Sequence, residues 1–353
     1  MRNIFSKFAL TAGLMLAITF TFSCSSGGGG NDPGGDVSSS SGGGNPNNGG
    51  SSPSSGGGGS LTWTSVADSK FGTDDIYGIA YGGGKFIAVG QKGKIAASTD
   101  GVSWTGGTIS AFGTTGIMAI AYGGGKFVAG GSDGKIAYSS DGSSWTAATG
   151  SFSTANNKEI KSIAYGNGKF VAVGIYGDMA YSTDGINWTP IARGTGAGAS
   201  TFSSDIFGIA YGDNKFVAVG TGGKTAYSPD GTSWTAVTTS AFDTRTIYAI
   251  AWGSDKFVAG SYYQSSGGKT AYSPDGTSWT TNSTFDSDLI FGIAYGNNKF
   301  VAGGYGGRMA TSTDGLTWTA ATNLGSKINA IAFGNGKFVA VGNSGKIAYS
   351  TEN

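Results

Sequence analysis

One phrase occurs seven times in this chain, and it limits the possible folds more than any other feature. The pattern I-A-[YWF]-G begins at Ile79, Ile120, Ile163, Ile209, Ile250, Ile293 and Ile331, at spacings of 38 to 46 residues. Such a chain is an array of similar units, none of which can bury its apolar face alone. Each unit reads as four short runs. The first is of the type "IYGIAYG", with a small residue (Gly78, Ala119, Ser162, Gly208, Ala249, Gly292, Ala330) before the second Ile. A turn such as "GGGK", "GNGK" or "GDNK" leads into a run of the type "KFVAVG"; "GKIAYS" follows, and after Asp-Gly comes a tryptophan run. Apolar runs of this length between glycine turns are strands, and no helical period competes with them. Repeated four-strand units of about 40–45 residues predict an all-β fold, a seven-bladed β-propeller of four-stranded antiparallel blades over residues 61–353.

The repeats do not come out even. Seven units carry a first strand, but only six end in S-x-D-G-x-x-W, with Trp104, Trp145, Trp188, Trp234, Trp279 and Trp318; the chain stops at "KIAYSTEN". The missing piece lies at the other end of the array, in "SLTWTSV", where Trp63-Thr64 matches the "WT" that follows the other Asp-Gly turns. Residues 61–66 are therefore expected to form the outer strand of blade 7, closing the ring and removing an open sheet edge.

Ahead of the array, Arg2 and Lys7 precede the uncharged run "FALTAGLMLAITFTF", which reads as a secretory signal over residues 1–23. The stretch "TFSC" resembles a bacterial lipobox, with Thr21 where an aliphatic residue is usual; the resemblance implies lipidation of Cys24 as the first mature residue. Ser25 after it resembles outer-membrane sorting, so the expected address is the outer membrane, lipid-anchored, periplasmic or surface-exposed. Residues 25–60 hold 15 Gly, 11 Ser, 4 Asn and 3 Pro. Such a segment cannot bury enough apolar surface to order itself and reads as a disordered tether reaching about 30–36 Å. With no His and Cys24 as the only Cys, disulfides, Cys/His metal sites and His-based catalysis are excluded, and no cofactor is expected. A net charge of +1 with no basic stripe argues against nucleic acid, and the expected state is a monomer.

The S-x-D-G-x-x-W element resembles the Asp box of sialidase-like (BNR-like) propellers, although it lacks one residue between Asp and Gly. The resemblance implies the propeller architecture. A sixfold-repeated Asp accepting turn amides, beside a Gly with positive φ, is structural. The recurring tryptophans read as core between blades. Seven first-turn lysines (Lys85, Lys126, Lys169, Lys215, Lys256, Lys299, Lys337) read as a solvated rim on the same face as the boxes.

Function is sought where the repeats differ. Blade-to-blade connections and the turns between second and third strands share the face opposite the boxes. The interval from Trp to the next first strand is 10 to 15 residues, except after Trp188, where it is 18; the turn in blade 5, "GSYYQSSGGK", carries a four-residue insertion. This face also collects aromatics: Tyr176, Tyr262, Tyr263 and Tyr305 in turns, and Tyr77, Phe207, Tyr248 and Phe291 on first strands, where interblade packing competes with ligand contact. Its arginines are Arg193, Arg245 and Arg308. The expected ligand-binding residues are Tyr176, Arg193, Arg245, Tyr262, Tyr263 and Tyr305, with no catalytic or metal-binding residue. The expected function is that of a membrane-tethered extracytoplasmic binding or scaffold propeller recognising a glycan or an envelope protein. A divergent propeller glycoside hydrolase or lyase, drawing on Asp74, Asp75, Glu159, Asp205 or Asp288, is the alternative. A third reading is an assembly factor for an envelope complex, because Asp-box-like propellers also resemble photosystem II assembly factors.

Overall fold

A computed structural model describes residues 61–154, 158–192, 202, 204–239, 241–263, 267–282 and 290–352. The expectations for the signal, Cys24, the tether, Arg193, Asp288 and the side chain of Tyr263 lie outside the described residues. The repeat folds as seven antiparallel blades around one axis. In blade 1 the strands run Ile76–Gly82, Lys85–Gly90, Lys94–Ser98 and Thr105–Thr108. The inner strands of blades 2 to 7 are Ile117–Gly123, Ile160–Gly166, Ile206–Gly212, Thr246–Gly253, Ile290–Gly296 and Ile328–Gly334. Each inner strand packs against the next, and the seventh returns to the first. Blade 3 has an added edge strand: Thr149–Gly150, in the connection from blade 2, pairs in parallel with Asn187 and Trp188.

The second strands are apolar almost throughout because both faces of a blade are covered by its neighbours. In Lys85–Gly90 and Lys215–Gly220 only the leading lysine escapes full burial. The glycine ending each inner strand has a steric purpose. A Cβ on Gly82 would stand 2.0 Å from the ring of Tyr122 in the next blade; the same holds for Gly123 with Tyr165 and Gly166 with Tyr211, and Gly212 meets Trp252 at 2.1 Å. The series continues through Gly253 with Tyr295 and Gly296 with Phe333, and Gly334 meets Tyr81 at 2.1 Å, so the contact runs round the whole ring. Each of these rings also tilts against the Phe that starts the next strand of its own blade, as Tyr122 does with Phe127 at 4.7 Å.

The ring closes as the repeat count requires. Leu61–Ser65 pairs antiparallel with Ile347–Glu352, from Leu61 opposite Glu352 to Ser65 opposite Ala348. Trp63 is 8% exposed and joins the core between blades 6 and 7 with Val301, Met309 and Phe338.

The six S-x-D-G-x-x-W turns share one hydrogen-bond scheme. In the first, Asp100 Oδ1 accepts the amides of Val102 and Ser103 at 2.8 Å and the Ser98 hydroxyl at 2.9 Å, while Gly101 takes φ of 75°. Five of the seven lysines expected to form a solvated rim are instead staples between blades. Lys85, Lys169, Lys215, Lys256 and Lys337 each donate to the main-chain carbonyl of the turn aspartate one blade on, at 2.8 to 3.1 Å.

Candidate binding site at the channel mouth

All seven inner strands carry a register shift at the same place. In blade 1 it falls between Ile76 and Gly78, leaving Tyr77 as the extra residue; the counterparts are Met118, Lys161, Phe207, Tyr248, Phe291 and Asn329. A bulge of this kind interrupts the ladder and re-aims one side chain. The small residue that follows lets neighbouring inner strands approach: a Cβ on Gly292 would lie 3.1 Å from the Ala330 Cα. These seven side chains form a ring near the variable-face end of the inner strands, and no two consecutive blades share a residue type. The inner strand is otherwise nearly constant, so this second position was the sequence signal for the ring. In the sequence, Tyr77, Phe207, Tyr248 and Phe291 stand out there as aromatics, whereas Met118, Lys161 and Asn329 carry no such mark.

The ring has two chemical halves. Across blades 4 to 6 it is aromatic, with Phe207 and Tyr248 at 4.9 Å between centroids and Tyr248 and Phe291 at 5.4 Å, edge-on. Phe207 and Tyr248 are half-buried, whereas Phe291 and Tyr77 are buried and so are not exposed aromatics. Burial raises the Tyr248 phenol, the Thr246 hydroxyl opposes this, and the nearby Tyr262 adds to it. The other half is polar. Tyr77 packs on Met118. Burial also raises its phenol, against a hydrogen bond from Gln91, while the carboxylates of Asp75, Glu159 and Asp74 raise it further. Lys161 and Glu159 form a buried ion pair at 2.8 Å. Asn329 donates to the Ile76 carbonyl at 2.8 Å, across the seam between blades 7 and 1.

Around this mouth the turns differ blade by blade. Four are short helical turns, Gln91–Gly93, Ile175–Gly177, Thr221–Gly223 and Tyr305–Gly307. The four-residue insertion in blade 5 is not an irregular loop. It extends the ladder, so that the strands run Lys256–Tyr263 and Gly267–Ser273, with Tyr262 opposite both Thr246 and Gly268. Tyr176 and Tyr305 are the exposed aromatics of the rim, at 47% and 60%. Tyr176 has φ of 57°, a left-handed conformation that is uncommon for a bulky residue; Gly222 and Gly306 take the corresponding position in blades 4 and 6. The Asp205 side chain of blade 4 holds it there by accepting its amide at 2.9 Å.

Of the expected ligand contacts, the structure thus brings Tyr262 beside the aromatic half of the mouth and leaves Tyr176 and Tyr305 exposed on its rim. The Arg245 side chain is 14% exposed and pairs with Asp243, which also takes Lys269 at 3.3 Å. The other carboxylates of this face are engaged as well. Asp74 takes Lys92 and Lys94, both at 2.7 Å, and Asp75 accepts the Ser344 amide at 2.8 Å. Each carboxyl with a resolved shift is moved downward; Asp74 is lowered first by Lys92, and Asp243 first by Lys269.

No known family profile matches this chain, and no curated protein matches it in sequence. Solved structures do match in fold. YCF48 bound to D1 peptide has a TM-score of 0.64 at 16% identity, covering 83% of this chain and 97% of that one. A catalytically inactive His-to-Ala variant of virginiamycin B lyase from Staphylococcus aureus, with quinupristin, gives 0.69 at 13% identity over 83% and 99%. The WD40 propeller domain of Doa1 gives 0.62 at 13% identity over 84% and 97%. At these identities the likeness is one of fold.

Proposed function

We propose that this chain is a binding propeller that holds a segment of a partner protein across the variable face, with the bulge ring as the floor of the site and the turn tyrosines as its rim. The observation that carries this reading is the aromatic arc of half-buried Phe207 and Tyr248, backed by buried Phe291 and with Tyr262 beside it, facing a polar half. Rigid aromatics next to buried polar groups, of which Glu159 Oε1 and Asn329 Oδ1 lack a hydrogen-bond partner among the described residues, suit an extended peptide, whose side chains alternate in character and whose main chain needs partners. A propeller of the same fold carries a peptide.

Catalysis is less well supported. A glycosidase acid needs a carboxyl with a raised pKa, whereas the resolved carboxyl shifts here are downward. The lyase variant described as inactive has lost a histidine, and this chain has none.

In the same reading, Cys24 carries a lipid that anchors the protein to the outer membrane, residues 1–23 are removed on export, and residues 25–60 tether the propeller at about 30–36 Å. Two experiments test the reading. Arrays of envelope-protein peptides and of glycans, probed with the intact chain and with Tyr262→Ala, read the site. Fractionation of Cys24→Ser reads the anchor, which requires that the variant leave the membrane fraction.

A further inference from the structure

Lys327 lies in the connection from blade 6, immediately ahead of the blade 7 inner strand. It keeps 8% of its surface exposed, and its Nζ stands 4.0 Å from the centroid of the Phe291 ring. Among the described residues, no carboxylate or carbonyl accepts a hydrogen bond from this ammonium. Asp75 of blade 1 acts on it only through its charge, and the Asp75 oxygens already take the Ser344 amide at 2.8 Å and Gln91 Nε2 at 3.4 Å. Burial lowers the Lys327 pKa to about 8, with Asp75 opposing.

Asn343, in the blade 7 turn, is paired with Lys327 through the main chain, its backbone N–H donating to the Lys327 carbonyl at 3.0 Å. The orientation of its side chain follows from Asn329. That buried residue directs its Nδ2 at the Ile76 carbonyl and at Asn343 Oδ1, at 2.8 and 2.9 Å. Asn343 must therefore offer its oxygen to Asn329 and turn its own NH₂ away. The NH₂ belongs to a half-buried residue and has no acceptor among the described residues.

A cation over the Phe291 ring, and a side-chain amide donor on the residue bonded to it through the main chain, neither with an acceptor among the described residues, make a place for an anion. A single ammonium matches a single negative charge; a dianion would be left uncompensated near Asp75. We propose that Lys327 and Asn343 form a two-donor receptor for one carboxylate, supplied by the partner peptide through an acidic side chain or its chain end. Asn329 is the positioning residue that sets the Asn343 amide. The proposal rests on the binding reading above and adds the chemistry of one anchor point to it.

The test is a titration of the full chain with ¹³C at the lysine Cε, the Lys327 signal being identified by its loss in Lys327→Met. The probes, at fixed ionic strength, are N-acetylglycine, its uncharged amide and glucuronate. A bound carboxylate favours the ammonium form, so saturating N-acetylglycine should raise the Lys327 midpoint by about half a unit or more, and the amide should leave it in place. Asn343→Asp keeps an acceptor for Asn329 but replaces the donor with a charge, and in it the probe should produce no further shift. An unmoved midpoint with N-acetylglycine, an equal shift with the amide, or an undiminished shift in Asn343→Asp would overturn the receptor. A stronger response to glucuronate than to N-acetylglycine would overturn the assignment to a peptide. The titration reads Lys327 alone, so its failure is distinguishable from failure of the binding reading, which is read at the rim tyrosines.

Discussion

Lys299 of blade 6 meets Glu352, one residue short of the chain terminus, at 2.8 Å. In five other blades the lysine at this position donates to the main-chain carbonyl of a turn aspartate in the next blade. Blade 7 has no such turn, because its outer strand comes from the other end of the array, and Glu352 stands two residues after Ser350 where the aspartate would be. The closing seam thus replaces a hydrogen bond to a carbonyl with an ion pair.

That replacement makes the seam sensitive to acid. The hydrogen bond from Lys299 lowers the Glu352 pKa below the ordinary glutamate range, so the pair's contribution is present above that range and lost as pH falls through the folded-state pKa. Glu352→Gln should melt below the parent at pH 7, and the gap should narrow in acid, below the usual carboxylate range. The gain is modest because the carboxylate is 39% exposed. Thermal melts at neutral and acid pH check it.

Closure itself should be worth far more. Trp63→Ala removes a buried indole from the core between blades 6 and 7, at about 3–5 kcal/mol. Deleting residues 61–66 should cost at least as much and expose a sheet edge. Denaturant unfolding measures both; a deletion variant as stable as the parent would contradict the pairing.

The ring of glycines against aromatics predicts a coupled pair. Gly166→Ala drives a methyl to 2.0 Å from the Tyr211 ring and should destabilise by about 1–3 kcal/mol. Tyr211→Ala opens that space, so the double variant should be less unstable than the two single losses added together.

The turn aspartates predict loss of stability in acid. Amides of Ser103 and Val102 hold the Asp100 carboxyl down to about 2, against the burial that would raise it. Its contribution is therefore present above about pH 4 and disappears toward pH 2. Asp100→Asn should cost about 1 kcal/mol at pH 7 and little at pH 2.

Much of the architecture could be read from the residues, because a propeller repeats its contacts and repetition is visible in one dimension. Trp63 could be assigned to blade 7 by counting, without geometry. The lysines could not be interpreted in the same way: Lys85 is 56 residues from Asp141, and its acceptor is a main-chain carbonyl that no residue type announces. The bulge ring was half visible, since aromatics stand out in a repeat, while Lys161 and Asn329 look like ordinary polar substitutions until their burial is known. The pairing of Arg245 with Asp243 could not be read from the sequence either, although the two lie only two residues apart. The blade 5 insertion has no strand signal beyond its two tyrosines, and its ladder runs beside an inner strand that is also one residue longer, pairing Thr246 with Tyr262.

The binding claim is tested most directly at the rim, where substitutions cost the scaffold little. Tyr176→Gly suits a left-handed position that glycine fills in blades 4 and 6, so it should leave the melting temperature unchanged or raise it. Tyr305 is 60% exposed and Tyr262 sits on the extended hairpin. The decisive measurement is the affinity for a peptide selected from the array, compared between the parent and Tyr176→Gly/Tyr262→Ala/Tyr305→Ala. At about 1–2 kcal/mol for each aromatic anchor, the triple variant should bind on the order of 10²-fold more weakly or worse, with its fold intact. An affinity equal to the parent's would contradict the account and move the search to the lysine-stapled face.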